Sequence, residues 1–195
     1  MSLERDIYVT NGCSNHSDKN REENDFYATN PKDVKLLFTE CGLTFDKNIL
    51  EPCAGNGHIA KVFKENGYNV TCGDLLQREY PLDKVWNFLE DATEFNGDIV
   101  TNPPYNLATE FVIKSLDIIP NGNKVVMFLK LTFLESKKRK PLFDTKQLKT
   151  IYVFTNRTAC AKNGEEKYFG AGAVAYAWYV WEKGYNGDPI IKWIN

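Results

Sequence analysis

Histidine is almost missing from this chain. Two histidines in 195 residues, far apart, together with five cysteines that form no Cys-x-x-Cys pair, leave no set of side chains with the spacing of a metal site. An odd cysteine count also argues against a disulfide framework and for reduced thiols in a cytoplasm. No apolar run approaches the roughly 20 residues that span a bilayer, and the opening Met1-Ser2-Leu3-Glu4-Arg5-Asp6 lacks the apolar core of a secretion signal. A basic surplus is missing too. Against 26 acidic residues stand 24 lysines and arginines, for a net charge of −2 and a pI near 5.8. Any contact with nucleic acid must therefore be local, because the chain as a whole does not attract phosphate. Neither the three-glycine dinucleotide fingerprint nor the lysine and hydroxyl of a phosphate-binding loop occurs. No internal repeat is visible.

What remains suffices for one domain with a full core, since 43% of the residues are hydrophobic. Residues 1–24 are expected to form a polar, mobile arm, because Asn11 to Glu23 is almost wholly Asn, Ser, Lys and Glu. Residues 25–195 read as a single α/β domain of about seven strands with helices on both faces. Strands are predicted at Lys47–Leu50, Tyr68–Asp74, Asp98–Thr101, Lys124–Leu131, Thr150–Phe154 and Ala173–Trp181. The last alternates small with large residues, as a strand with one crowded face would. It should pair antiparallel with Thr150–Phe154 to close the sheet. Helices are predicted after Asn30, which caps with Pro31 in the first position, at His58–Glu65, and at Ala108–Ile118 before an Asn121-Gly122 turn.

Two short segments carry the chemistry. The first, Glu51-Pro52-Cys53-Ala54-Gly55-Asn56-Gly57, joins a strand to an amphipathic helix, and its glycines allow a tight turn and a close backbone approach to a ligand without phosphates. Glu51 ends its strand as a carboxylate able to meet positive charge. Asp74 ends the next strand 23 residues on, where doubly wound folds place an acid for ribose hydroxyls. The second segment is Asn102-Pro103-Pro104-Tyr105. Paired prolines fix φ, donate no hydrogen bond and hold the preceding residues extended. The strand exit is thus rigid, with an amide at one end and an aromatic ring at the other, which suits a flat hydrogen-bonding group.

The tetrapeptide resembles the catalytic motif of the adenine-N6 DNA methyltransferases. The ordered set of an aromatic segment (Asp25 to Pro31), the glycine loop, two acids and then Asn102 to Tyr105 is similar to small phage and bacterial members of that family. The resemblance implies a Rossmann-like methyltransferase domain that uses S-adenosylmethionine and needs no metal. It implies that Asn102, Pro103, Pro104 and Tyr105 are catalytic. It also implies that Phe26, Thr29, Glu51, Cys53, Ala54, Gly55, Gly57, Asp74, Leu75, Asp91 and Ala92 line the cofactor site, with Phe26 beside the sulfonium. Asp91, or its neighbour Glu90, would accept from the cofactor's adenine amino group. DNA would be the partner, its target adenine flipped out and stacked on Tyr105. Lys137, Lys138, Arg139 and Lys140 are candidate phosphate contacts, helped by Lys130, Arg157 and Lys162; Tyr168 is a candidate stacking residue. No insert is long enough for a separate recognition domain, so specificity would come from short loops such as Arg157 to Phe169, from a specificity partner, from a homodimer, or be low. Methylation of a glutamine side-chain amide, of an amino group in structured RNA, or cofactor binding without turnover are the alternative readings.

Overall fold

The chain was analysed as a computed structural model that describes residues 27–91, 93–158, 160–162 and 174–195. The expected arm at 1–24 and the candidate residues Phe26, Ala92 and Tyr168 lie outside them. In chain order the elements are β1 (Tyr27–Ala28), α1 (Pro31–Thr39), β2 (Asn48–Glu51), α2 (His58–Glu65), β3 (Asn69–Asp74), β4 (Lys84–Val85), β5 (Asp98–Thr101), α3 (Ala108–Ile118), β6 (Lys124–Lys130), α4 (Lys140–Asp144), β7 (Leu148–Phe154), β8 (Ala161–Lys162), β9 (Tyr176–Glu182) and β10 (Ile190–Ile194).

Eight strands form one sheet in the order β10-β7-β9-β6-β5-β2-β3-β4, and β1 pairs with β8 in a separate two-stranded ribbon. Every neighbouring pair in the large sheet is parallel except those of β9, which runs antiparallel to both β6 and β7. The expected antiparallel closure is therefore present. The sheet is one strand larger than the seven anticipated. Two-residue β4 is too short to read from a pattern, and β10 adds beyond β7 after a Gly-Asp-Pro turn.

The core lies on both sides of the sheet. Val34, Leu37, Ile59, Val62 and Phe63 of α1 and α2 cover one face, and Phe111, Val112, Leu116 and Leu142 of α3 and α4 cover the other. β9 sends Trp178 and Val180 into the first layer and Tyr179 and Trp181 into the second. Both its faces are crowded, not one, because the strand sits between β6 and β7 inside the sheet. Truncating either buried tryptophan to alanine would cost about 3–5 kcal/mol.

Local chemistry sets the entry to each site element. Asn30 caps α1, its side-chain oxygen accepting from the Lys32 amide at 3.0 Å, and Pro31 occupies the first turn without needing a donor. Buried Asp98 pins the start of β5 by accepting from Asp46 N (2.8 Å), Lys124 N (2.7 Å) and Asn123 Nδ2 (3.0 Å). β2 then lies beside β5 with Ile49 opposite Asp98 and Leu50 opposite Ile99. From β2 the chain winds outward to β3 and β4, then returns to β5 and winds the other way to β6. The strand order therefore reverses between β2 and β5, where such sheets bind ligands beyond their carboxyl ends.

Candidate active site

A cleft of about 330 Å³ opens at that reversal. Its wall takes Glu51, Pro52, Cys53, Ala54 and Asn56 from the glycine loop, and Asp74 and Leu75 from the end of β3. Trp86 to Leu89 follow from the segment after β4, Asn102 and Pro104 from the tetrapeptide, and Tyr27 to Thr29 from the entry to α1. Four separate chain segments expected to meet do so here.

The glycine loop works by backbone shape. Gly55 and Gly57 adopt φ of 53° and 73°, the left-handed region that favours glycine. A Cβ on Gly57 would lie 2.3 Å from the Tyr80 ring, so the loop after β3 folds back directly onto it. Asp74 ties the loop down: one carboxylate oxygen accepts from Gly55 N at 2.8 Å, the other from Leu76 N at 3.2 Å. Asp74 also lines the cleft.

Glu51 is 1% exposed, and one of its carboxyl oxygens is buried without a partner. Burial pushes its carboxyl well above the usual range, and the nearby Asp74 charge adds to the effect. The hydroxyl of Thr29, 3% exposed, is likewise buried and unpaired in the same wall. Two unpaired buried polar groups facing one cleft are unusual unless a polar ligand satisfies them. A cationic group would fit Glu51 best, because it would restore the ionised form.

Of the tetrapeptide, Asn102 and Pro104 line the cleft, and Pro103 and Tyr105 do not. The Asn102 side-chain nitrogen donates to the Tyr27 carbonyl at 2.8 Å and approaches the Cys160 sulfur at 3.7 Å. With the nitrogen so engaged, Oδ1 is the end of the amide left to accept. Tyr105 lies between Tyr27 (6.2 Å between ring centres) and Tyr176 (5.9 Å), its hydroxyl 3.3 Å from the Cys160 sulfur. Burial pushes the Tyr105 phenol well above its ordinary range and the Cys160 thiol up to about 11. Both groups therefore stay neutral at physiological pH. The Lys130 ammonium stands 5.0 Å above the Tyr105 ring.

Other candidates stand elsewhere. Asp91 is not in the cleft wall; it forms an ion pair with Lys84 and accepts from Thr93 N at 2.7 Å, contacts that hold its carboxyl far below the usual range. Asn87 and Phe88 occupy the wall instead, immediately past the end of β4. The basic run lies down the sheet flank: Phe133, just before it, packs on Tyr179 and Trp181. The Arg139 guanidinium is taken up by the carbonyls of Phe133 (2.6 Å), Glu135 (3.0 Å) and Thr132 (3.3 Å), and Lys140 pairs with Asp144 at 2.6 Å. Lys137 and Lys138 are the two of the four left exposed to solvent without such a contact. Cys160 and Tyr176, beside the tetrapeptide, were not anticipated. Among the described residues no cluster of His, Cys, Asp and Glu could hold a metal ion, and no helix is long and apolar enough to cross a membrane.

The fold is the Rossmann-like fold of S-adenosylmethionine-dependent methyltransferases. Similar structures include a protein assigned as a modification subunit of a type I restriction enzyme from Vibrio vulnificus, with 13% identity, a TM-score of 0.60, and 99% of this chain covered against 50% of that one. This chain thus spans about half the length of that subunit. A protein assigned as an RNA methyltransferase from Pyrococcus horikoshii aligns over 94% of this chain and 99% of its own, at 11% identity and a TM-score of 0.58. One assigned as a class I S-adenosylmethionine-dependent methyltransferase from Listeria monocytogenes aligns over 84% and 63%, at 11% identity and 0.53. At these identities the likeness concerns the fold. No family model matches the sequence, and no curated protein is significantly similar.

Proposed function

We propose that this protein transfers a methyl group from S-adenosylmethionine to the exocyclic N6 amino group of adenine in DNA. The observation that carries the reading is the Asn102 amide in the cleft wall, its nitrogen engaged by the Tyr27 carbonyl so that its oxygen is the end left to accept, in a cleft that also holds a buried carboxyl oxygen without a partner. The Asn102 oxygen and the Pro103 carbonyl would be the two acceptors that match the two hydrogens of an amino group. Accepting both draws the nitrogen lone pair out of conjugation with the ring and makes it nucleophilic. The cofactor supplies an electrophilic methyl on a cationic sulfur. Glu51 and Thr29 would hold its charged amino-acid end, Asp74 its ribose hydroxyls, and Asn87 with the Phe88 backbone its adenine edge, a role expected of Asp91 from sequence. As the nitrogen–methyl bond forms, the sulfur–methyl bond would break with its electron pair left on sulfur, and the methylated nitrogen's surplus proton would pass to solvent. No cysteine nucleophile takes part, and alignment of the reacting groups does most of the work.

Lys130 would meet the phosphate that follows the flipped base, and stacking of that base on Tyr105 would require the Lys130 ammonium to leave the ring it now covers. The test incubates the chain with labelled S-adenosylmethionine and unmethylated duplex DNA, structured RNA or a protein extract, and identifies the product by mass spectrometry. N6-methyladenine in DNA is expected. Label only in RNA or glutamine would replace the substrate. Asn102→Ala should cut transfer at least a hundredfold while leaving cofactor affinity within about twofold, because on this reading the amide oxygen meets the acceptor and not the cofactor; wild-type turnover in that variant would refute the assignment.

A further inference from the structure

An asparagine amide has two ends of nearly equal size and opposite chemistry, one acceptor and one double donor. Shape alone hardly distinguishes the two orientations of Asn102, so a hydrogen-bond partner must choose. That partner is the Tyr27 carbonyl, which can only accept: at 2.8 Å from Nδ2 it would meet the other oxygen head-on if the amide turned over. The Cys160 sulfur, a weak acceptor at 3.7 Å, takes the same side.

The Tyr27 carbonyl belongs to the two-stranded ribbon, where Tyr27 pairs with Lys162 and Ala28 with Ala161. Two residues per strand make a ribbon with little stability of its own. It is anchored elsewhere. The Thr158 hydroxyl, four residues before Lys162, donates to the Asp33 carboxylate in the first turn of α1. The Asp33 carbonyl accepts from Trp178 Nε1 at 3.0 Å, and Trp178 is fully buried in the core. Burial raises the Asp33 carboxyl, and the Thr158 bond opposes that rise. Hydrogen bonds thus run from the core through Asp33 to Thr158, the chain runs on from Thr158 into β8, and β8 pairs with the β1 strand whose Tyr27 carbonyl holds the Asn102 amide. Thr158 and Asp33 are not in the cleft wall.

We propose that the Thr158–Asp33 contact is a positioning device for the reaction: it holds the β1–β8 ribbon so that the Tyr27 carbonyl keeps the Asn102 oxygen facing the acceptor. The proposal rests on the methyltransferase reading for its kinetic consequence but not for its geometry. Thr158→Val keeps the side-chain shape and removes the donor; Thr158→Ser keeps the donor. Valine should lower kcat on the order of tenfold, a hydrogen bond's worth of misorientation. S-adenosylmethionine affinity by calorimetry and KM for the acceptor should stay within about twofold, and serine should restore kcat. Thr158→Ala gives the same readout if valine is not tolerated. In parallel, side-chain NMR of asparagine-labelled protein, with Asn102→Asp for assignment, should show the Asn102 amide protons slow to exchange in wild type and fast in the valine variant.

Wild-type kcat in the valine variant would overturn the proposal, as would a kcat loss accompanied by an equal loss of cofactor affinity, since that marks general disorder of the site. Should the wild type methylate no acceptor at all, the functional reading falls and the exchange measurement decides alone. Protected Asn102 protons in Thr158→Val would then overturn the positioning role, and their loss would uphold it.

Discussion

On the proposed function, Glu51 would link cofactor binding to protons. Without ligand, burial raises its carboxyl well above the ordinary carboxylate range, so the folded protein keeps it protonated to higher pH than a free glutamate. An entering ammonium or sulfonium favours the carboxylate, and binding must then expel the proton. The sign follows directly: affinity rises with pH up to the ligand-free pKa of Glu51 and levels off above it. One proton gives a limiting slope of tenfold per pH unit, about 1.4 kcal/mol. The ligand-free protein shows the opposite trend in stability. A raised carboxyl stabilises the fold at low pH, and that contribution is lost as pH climbs from about 4.5 toward the folded value. Titration calorimetry with S-adenosylmethionine in buffers of different ionisation enthalpy measures the released proton directly. Glu51→Gln keeps the shape and removes the charge, so it should abolish the proton release and weaken binding by at least about 30-fold above the titration, the loss expected when a buried charge pair loses one member. A wild-type enthalpy independent of buffer, with affinity that does not change with pH, would refute the reasoning and place the cofactor's cation away from Glu51.

Gly57→Ala should lower stability by about 2–4 kcal/mol, combining a left-handed backbone with a Cβ 2.3 Å from the Tyr80 ring. Differential scanning calorimetry would then show Tm down by roughly 5–15 °C, and an unchanged Tm would mean that Tyr80 swings clear. Lys130→Ala should weaken duplex DNA binding equally for all sequences and reduce the slope of log K against log salt by about 1, with cofactor affinity unchanged. A salt slope equal to wild type would take Lys130 off the phosphate path.

Elements governed by neighbours in the chain were legible from sequence. The Asn30 cap, the His58–Glu65 and Ala108–Ile118 helices and the β2 and β5 strand ends all follow from local pattern, and the pairing of β2 with β5 followed from topology rules. Contacts of charged side chains were harder to read. Asp91 lies within reach of Lys84 and pairs with it, while Asn87, which lines the cleft, stands just past a two-residue strand too short to see in a pattern. In the basic run, charge count says nothing of the three carbonyls that occupy Arg139.

The two halves of the cleft therefore differ in origin. The half proposed for the cofactor is built by β2 to α2 and the end of β3, where contacts such as Gly55 with Asp74 span about twenty residues of sequence. The acceptor half depends on contacts across much longer separations: Asn102 with Tyr27 at 75 residues and with Cys160 at 58, Asp33 with Thr158 at 125. Only the first kind leaves a compact signature. A chain can thus keep the glycine loop and tetrapeptide while its acceptor pocket is reshaped by the segments around Tyr27 and Cys160. On this argument the choice among DNA, RNA and protein acceptors is made by those segments and not by Asn102 to Tyr105, which serve any planar amino group alike. Exchanging Asn102 would abolish transfer to every acceptor, whereas changes near Cys160 and Tyr176 would shift preference among them.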